Sequence, residues 1–584
     1  MKNRFFCAFL FTFALAVGLF AQGREINVSI IVTSDVHGRY FSYDFVENAP
    51  RTNSLARVHY FVSRARSIPG NNVILLDNGD LIQGTPESYY ANFLDKSRRN
   101  LTSRIMNLMR YDAATVGNHD MEAGPKVYNR LKNEFKFPYL GANVIDTKTQ
   151  KPHFIPYTII KRQGLRIAVI GLTTTGVPNW LPEKLWAGLE FEEMTAAAQK
   201  WVNHVLETER PDAIIGLFHS GLGPLNIPPG SSSENSSRHI ANTVAGFDVI
   251  FTGHDHREVI DSITGPDGRQ VLIVGPGSHN RKIGIARLSF TRISRGVHKL
   301  SKKEAELAGT ENFQNSREFF QTFDKDLSRI ANFANTPVTF LRSEINASDA
   351  LFGPSSFVDL IHEVQLELTK ADISIAAPLS TSGKIAPGLL GVRDFFKLYQ
   401  FENYLYVMEL TGQEVKNYLE YSYGLWFDQM KSDSGHLLLF RKNAEGNILT
   451  DNLGRHRFMN PTYNFDSMAG ISYTVDISKP AGDRVEILKM ENGEPFDTQK
   501  IYRVALNSYR ASGGGGHIRI GAGISTDKAK TRIMFTSATN LRSEMIELLK
   551  GKPQIDPAPR NNWKLIPEDI ARKGIENDKR VLGE

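Results

Sequence analysis

Residues 28–37 read Val28-Ser29-Ile30-Ile31-Val32-Thr33-Ser34-Asp35-Val36-His37. An apolar, β-branched run that reads as a strand ends in an acid and an imidazole. The same arrangement recurs four times. Val73–Asp77 is followed by Asn78-Gly79-Asp80, and Ala113–Val116 by Gly117-Asn118-His119-Asp120. Ala213–Phe218 is followed by His219, and Asp248–Phe251 by Gly253-His254-Asp255-His256. Further strands are predicted at Arg166–Ile170 and Val271–Val274, with helices at Ser54–Arg66, Leu94–Arg110 and Thr195–Glu209. Short apolar strands alternating with helices describe an α/β layered domain. Loops at the carboxyl ends of such strands converge on one crevice, so motifs far apart in sequence are expected to meet there.

Their chemistry is coherent. Two carboxylates (Asp35, Asp80), one amide (Asn118) and four imidazoles (His37, His219, His254, His256) form a hard-to-borderline donor set suited to Mn, Zn, Fe or Co. Seven donors are too many for one ion that keeps an open position. Shared between two ions, with one carboxylate bridging, they leave room on each. Two divalent ions about 3.5–4 Å apart suit in-line phosphoryl displacement.

The rest of the chain sets the context. Its 584 residues exceed one hydrophobic core, so two large domains are expected. A net charge of +6 fits anionic small molecules but is far from a nucleic-acid-binding signature. Lys2 and Arg4 precede the apolar stretch Phe5–Phe20, and Ala21 stands before a cut at Gln22. This reads as a signal peptide over residues 1–21, with export to the periplasm, cell surface or medium, and no stable membrane span after its removal. Cys7, the only cysteine, lies inside it. The mature chain then has no disulfide, thiolate metal site or cysteine nucleophile.

A charged helical stretch over 311–342 reads as a linker. A second unit over 343–551 is richer in turns, with strands at Tyr404–Leu410 and Ser472–Ile477 and four consecutive glycines, Gly513–Gly516. Residues 552–584, with Pro553, Pro557 and Pro559, read as a loosely ordered tail.

The ordered motif set resembles the calcineurin-like metallophosphoesterase superfamily. With the second unit it resembles the 5′-nucleotidase / 2′,3′-cyclic-nucleotide phosphodiesterase family, from about Asn27 to Lys550. The resemblance implies a four-layer α/β/β/α catalytic domain over 24–310, followed by an α+β substrate-binding domain. It implies one metal held by Asp35, His37, Asp80 and His256, and another by Asp80, Asn118, His219 and His254. His119 would sit over the phosphoryl group, with Asp120 orienting its imidazole. Phe401 and Tyr509 match an aromatic clamp for the base, with Asn403 and Arg510 beside them as substrate-binding candidates.

Within the family, Ala377-Pro378-Leu379-Ser380 resembles the branch acting on 2′,3′-cyclic nucleotides and 3′-nucleotides. So do Tyr43-Asp44, Glu234-Asn235, Tyr463-Asn464-Phe465-Asp466 and Tyr509-Arg510-Ala511. Asp120 departs from that branch, which often has Glu there. Alternative readings are a 5′-nucleotidase, a nucleoside-diphosphate-sugar hydrolase or a sulfur-ester hydrolase on the same scaffold. A non-catalytic exported nucleotide-binding protein would have lost ligands, and none is missing here.

Overall fold

The computed structural model describes residues 25–583 apart from 229, 230, 232, 295, 382 and 451–453. The signal-peptide reading and Cys7 therefore lie outside the described residues.

Two six-stranded sheets form the middle of the first domain. One runs Val297–Gly309, Lys282–Ser294, Glu25–Thr33, Asn72–Asp77, Ala113–Thr115, Tyr139–Leu140. The other runs Glu258–Thr264, Gln270–Pro276, Val249–Thr252, Ala213–His219, Leu165–Thr173, Tyr157–Arg162. Alternation along a strand sends successive side chains to opposite faces. Val28, Ile30 and Val32 thus meet Ile167, Val169, Ile215 and Phe251 of the facing sheet in one buried cluster. Ile31 points the other way, into a cluster with Val58 and Val62 of helix Leu55–Ser67. Ala168 and Ile170 pack against Ala198 and Val202 of helix Met194–Glu209. The result is the expected α/β/β/α layering.

Local chemistry explains the element ends. Strand Glu25–Thr33 lies parallel to Asn72–Asp77, with Val32 opposite Leu76. The helix predicted from Leu94 instead spans Leu101–Met109, because the Asn100 side chain accepts from the Thr102 N–H at 2.7 Å and caps it there.

The linker segment is more than a connector. Helix Arg317–Ala334 buries Phe319, Phe323 and Ile330 in the first domain's helical layer. Its Asp326 carboxylate receives Arg104 at 2.7 and 3.0 Å.

The second domain is built on a five-stranded sheet, Ser467–Ala469, Ile373–Ala376, Ile501–Asn507, Tyr404–Thr411, Ile533–Asn540. Helices Ser356–Thr369, Gly412–Trp426 and Leu541–Lys550 pack on it. The loose tail expected beyond Lys552 is not what the chain forms. Strand Trp563–Ile566 pairs in parallel with Ile471–Asp476, setting Trp563 opposite Tyr473. Helix Glu568–Leu582 follows, and its fully buried Asp578 accepts from His436 Nδ1 and the Leu438 N–H, both at 2.7 Å. The prolines suggested disorder, but Trp563, Leu565 and Ala571 supply apolar surface that the core of the second domain takes up.

Among the described residues no helix is long and apolar enough to cross a membrane.

Candidate active site

The five motifs meet at the carboxyl ends of the two sheets. Backbone hydrogen bonds tie the loops together: Asp35 N–H donates to Gly79 O and His37 N–H to Asp80 O, both at 2.9 Å. Asn78 Nδ2 reaches across to Phe218 O at 2.9 Å, joining one sheet to the other. Asp35, His37, Asp80, His254 and His256 all adopt positive φ, between 48° and 70°. Left-handed backbone at five non-glycine positions is costly and persists only where the surroundings impose it, as they do at functional sites.

Two groups of donors result. Asp35, His37 and His256 form one, and Asp80, His219 and His254 the other, with the ligand atoms of each group within 4.8 Å of one another. Asn118 Oδ1 lies 3.0 Å from His219 Nε2 and 2.9 Å from His254 Nδ1, so it joins the second group. Asp80 Oδ2 is 3.1 Å from His219 Nε2.

Electrostatics show what this set is suited to hold. Burial raises Asp35 to about 7. Burial also pushes Asp80 upward, but His219 and His119 beside it hold it well below the usual carboxylate range. Burial lowers His254 to about 3 and His256 to about 4, and takes His37 well below the ordinary imidazole value. Neutral His37 and His256 nevertheless bring their Nε2 atoms within 3.1 Å of each other. Imidazoles held neutral with their Nε2 atoms this close, next to a buried carboxylate, are a donor set that suits a divalent cation. The residues present therefore fit two metal ions.

His119 lines the cavity beside the donor groups, its ring 5.4 Å from that of His37. Its partner is not the expected one. Glu122 Oε2 lies 2.6 Å from His119 Nδ1, one helical turn on. Asp120 turns inward and accepts from the backbone N–H groups of Gly117, Asp80, Leu81 and Ile82 at 2.8–3.2 Å. It holds the Asp80 loop against the helix start instead of touching His119. An i,i+3 reading along helix Asn118–Glu122 would have found Glu122. Burial works against a charge on His119, but Asp80 and Glu122 outweigh it and raise its pKa to about 9.

The second domain closes the other side of a cavity of about 590 Å³. Phe401, Asn403 and Tyr509 line it, as do Glu234, Asn235 and Leu379. Tyr463 stands between the two expected aromatics, its ring edge-on to Phe401 at 6.2 Å and to Tyr509 at 6.4 Å. Trp180, which the sequence did not single out, stacks on His254 at 5.3 Å. Arg510 does not reach the cavity. It is 1% exposed, and its guanidinium bonds Asp466 Oδ2 at 2.6 Å and Oδ1 at 3.2 Å, Asn464 Oδ1 and Gly514 O at 3.1 Å, and Tyr463 O. It supports the aromatic wall from behind. Arg542, also 1% exposed, does the same for Phe401, bonding Glu402 and the carbonyls of Tyr399 and Gln400.

The domains meet in more than the cavity. Tyr89 Oη is 2.7 Å from Ser543 Oγ, and Lys184 Nζ lies 3.6 Å from the centre of the Tyr404 ring.

Residues 28–258 match the family model for calcineurin-like phosphoesterases. Residues 330–520 match that for the 5′-nucleotidase C-terminal domain. The 2′,3′-cyclic-nucleotide 2′-phosphodiesterase/3′-nucleotidase of Yersinia enterocolitica is 26% identical, over 93% of this chain and 89% of its own length. The trifunctional nucleotide phosphoesterase protein YfkN of Bacillus subtilis is 24% identical over 93% of this chain, which spans 39% of that longer protein. In fold, the chain is similar to the 5′-nucleotidase precursor from Thermus thermophilus, with a TM-score of 0.63 at 20% identity, covering 93% of this chain and 100% of that one. The converging donors, the His119–Glu122 pair and these two matched regions together make the chain a member of the calcineurin-like phosphoesterases that carry a 5′-nucleotidase C-terminal domain, metal-dependent hydrolases of phosphoric esters.

Proposed function

We propose that this chain is an exported two-metal hydrolase that opens 2′,3′-cyclic nucleotides and then removes the phosphate from the resulting 3′-nucleotides. One observation carries the reading. A single cavity has phosphoryl-transfer chemistry on one wall and the aromatic rings of Phe401, Tyr463 and Tyr509 on the other. Base stacking on such rings contributes roughly 1–3 kcal/mol per base. The cyclic/3′ preference is supported by Glu234, Asn235, Leu379 and Tyr463, which come from segments resembling that branch and line this cavity. The name of the Yersinia enterocolitica relative agrees. Export rests on residues 1–21.

Asp35, His37, Asp80 and His256 would hold one ion, and Asp80, Asn118, His219 and His254 the other. Two divalent ions held there supply Lewis-acid polarisation of the phosphoryl oxygens and a water made nucleophilic near neutral pH. The chain's own residues do the rest. Glu122 fixes the tautomer and charge of His119 through Nδ1, leaving Nε2 to deliver a proton to the departing ribose oxygen. The aromatic wall holds the base, so that the phosphorus is presented in line. With a cyclic substrate the 2′ oxygen leaves and a 3′-monophosphate remains. With a 3′-nucleotide the 3′ oxygen leaves and the nucleoside is released.

The test is phosphate release by the mature chain in Mn²⁺ from 2′,3′-cyclic AMP (with a coupling phosphatase), 3′-AMP and 5′-AMP. Fast turnover of the first two with little 5′-AMP hydrolysis is expected. A clear 5′-AMP preference would assign the same site to a 5′-nucleotidase.

A further inference from the structure

Arg39 stands two residues after His37 and lines the cavity beside His37 and His279. Among the described residues it is the one Lys or Arg side chain that does so. Its neighbours are engaged. Arg51 bonds Glu87 Oε1 at 2.6 Å and Tyr43 O, while Arg281 Nη2 lies 3.5 Å from Ser278 Oγ. Arg39 has no such hydrogen bond or ion pair among the described residues, and its Nε is buried without a partner.

The backbone around it is fixed. Arg39 O accepts from the Leu55 N–H at 3.0 Å and from Asn280 Nδ2 at 3.1 Å, and the adjoining Tyr40 is fully buried. A guanidinium with an unmet donor on a fixed backbone, bordering a cavity read as taking anions, is unusual. Buried donors and charges are costly unless an acceptor of opposite charge arrives. The ring of His279 lies 5.3 Å from that of His37 and 5.6 Å from that of His256, so Arg39 borders the first group of metal-ligating candidates, not the aromatic wall. The acceptor it awaits is therefore on the phosphoryl end of a substrate, not on its base.

We propose that Arg39 grips terminal oxygens of the substrate's phosphoryl group and so favours phosphate monoesters over cyclic diesters. The proposal rests on the phosphoesterase reading of the cavity and adds a determinant for the second of its two steps. A guanidinium fork is matched by paired anionic oxygens. A monoester offers three terminal oxygens and close to two negative charges. A 2′,3′-cyclic diester offers two oxygens and one charge.

The experiment compares wild type, Arg39→Gln, Arg39→Lys and Arg39→Ala in Mn²⁺ on two substrate pairs. One pair is 3′-AMP and 2′,3′-cyclic AMP. The other is p-nitrophenyl phosphate and bis(p-nitrophenyl) phosphate, which need no base clamp. Losing one donor to developing phosphoryl charge is expected to cost Arg39→Gln about 100-fold in kcat/KM on the monoesters and less than about 10-fold on the diesters. Two readouts exclude a merely structural role. Added guanidinium should restore part of the monoester activity of Arg39→Ala, and inorganic phosphate should raise the melting temperature of wild type but not of Arg39→Gln. Equal losses on monoester and diester overturn the proposal, as does a melting temperature lowered in all the variants without phosphate. If the nucleotides are not turned over while the aryl esters are, the nucleotide reading falls and Arg39 is judged on the aryl pair.

Discussion

Replacing Arg510 by Met separates a substrate-binding arginine from one that supports the fold. In the structure the guanidinium is sealed from solvent and satisfies both oxygens of Asp466, the side chain of Asn464 and the carbonyls of Tyr463 and Gly514. Methionine fills much the same volume but donates nothing. The Asp466 carboxylate keeps the Tyr418 hydroxyl at 2.5 Å, yet loses its charge partner inside the protein. Breaking a buried pair by removing one partner costs about 3–5 kcal/mol. The damage should also reach the cavity, because Tyr463 and Gly514 are held by the same bonds and Tyr509 packs on Gly514, where an added Cβ would lie 2.4 Å from its ring. Chemical denaturation followed by tryptophan fluorescence, to which Trp426 and Trp563 of the second domain contribute, should show the loss. KM for nucleotides should rise while p-nitrophenyl phosphate hydrolysis is largely kept. Adding Asp466→Asn should recover part of the stability, because the unpaired charge is then gone. An unchanged denaturation midpoint together with a collapse of nucleotide turnover would refute this, and would make Arg510 a ligand of the substrate after all.

Four further outcomes are expected. Glu122→Gln should lower kcat about 10–100-fold with little change in KM, whereas Asp120→Asn should weaken metal retention, read by metal content after dialysis, because it frees the Asp80 loop. Tyr509→Ala or Phe401→Ala should raise KM for nucleotides by an amount equivalent to about 1–3 kcal/mol while sparing p-nitrophenyl phosphate in steady-state assays. His362 is sealed between Ser374 and Ser467, and burial lowers its pKa to about 3. A depressed pKa favours the neutral form in the fold, so its contribution is complete above the unfolded value near 6.5 and lost as pH falls from there toward about 3. His362→Gln should therefore flatten the fall in stability between about pH 6 and 4, and an unchanged slope would exclude His362 as its source.

The first domain was legible because its chemistry is punctuated. Each apolar strand ends in a polar motif, so strand ends and candidate ligand positions were read together, and Asp35, His37, Asp80, Asn118, His219, His254 and His256 converge. Adjacency misled where a helix intervened. Asp120 follows His119 directly, but successive helical residues face apart, and Glu122 at i+3 makes the contact. Arg510 misled for a different reason, since proximity to Tyr509 in sequence says nothing about which side of the chain meets solvent. The stretch beyond Lys552 was misread because prolines advertise turns locally, while its pairing partner, Ile471–Asp476, lies far upstream. Trp180 and Arg39 carried no motif, and only the folded cavity brings them to it.

The parallel insertion of Trp563–Ile566 beside Ile471–Asp476 has a consequence in time. The first domain draws its sheets and its helical layer from residues 25–334, so it can be complete while the rest of the chain is still being made. The second domain cannot. Tyr473 must wait for Trp563, and Leu438 for Asp578, before that core closes. On the proposed reading the chain would be able to bind metal before it could hold a nucleotide, and its vulnerable interval, with Tyr473 and Trp426 lacking their aromatic partner, belongs to the second domain alone.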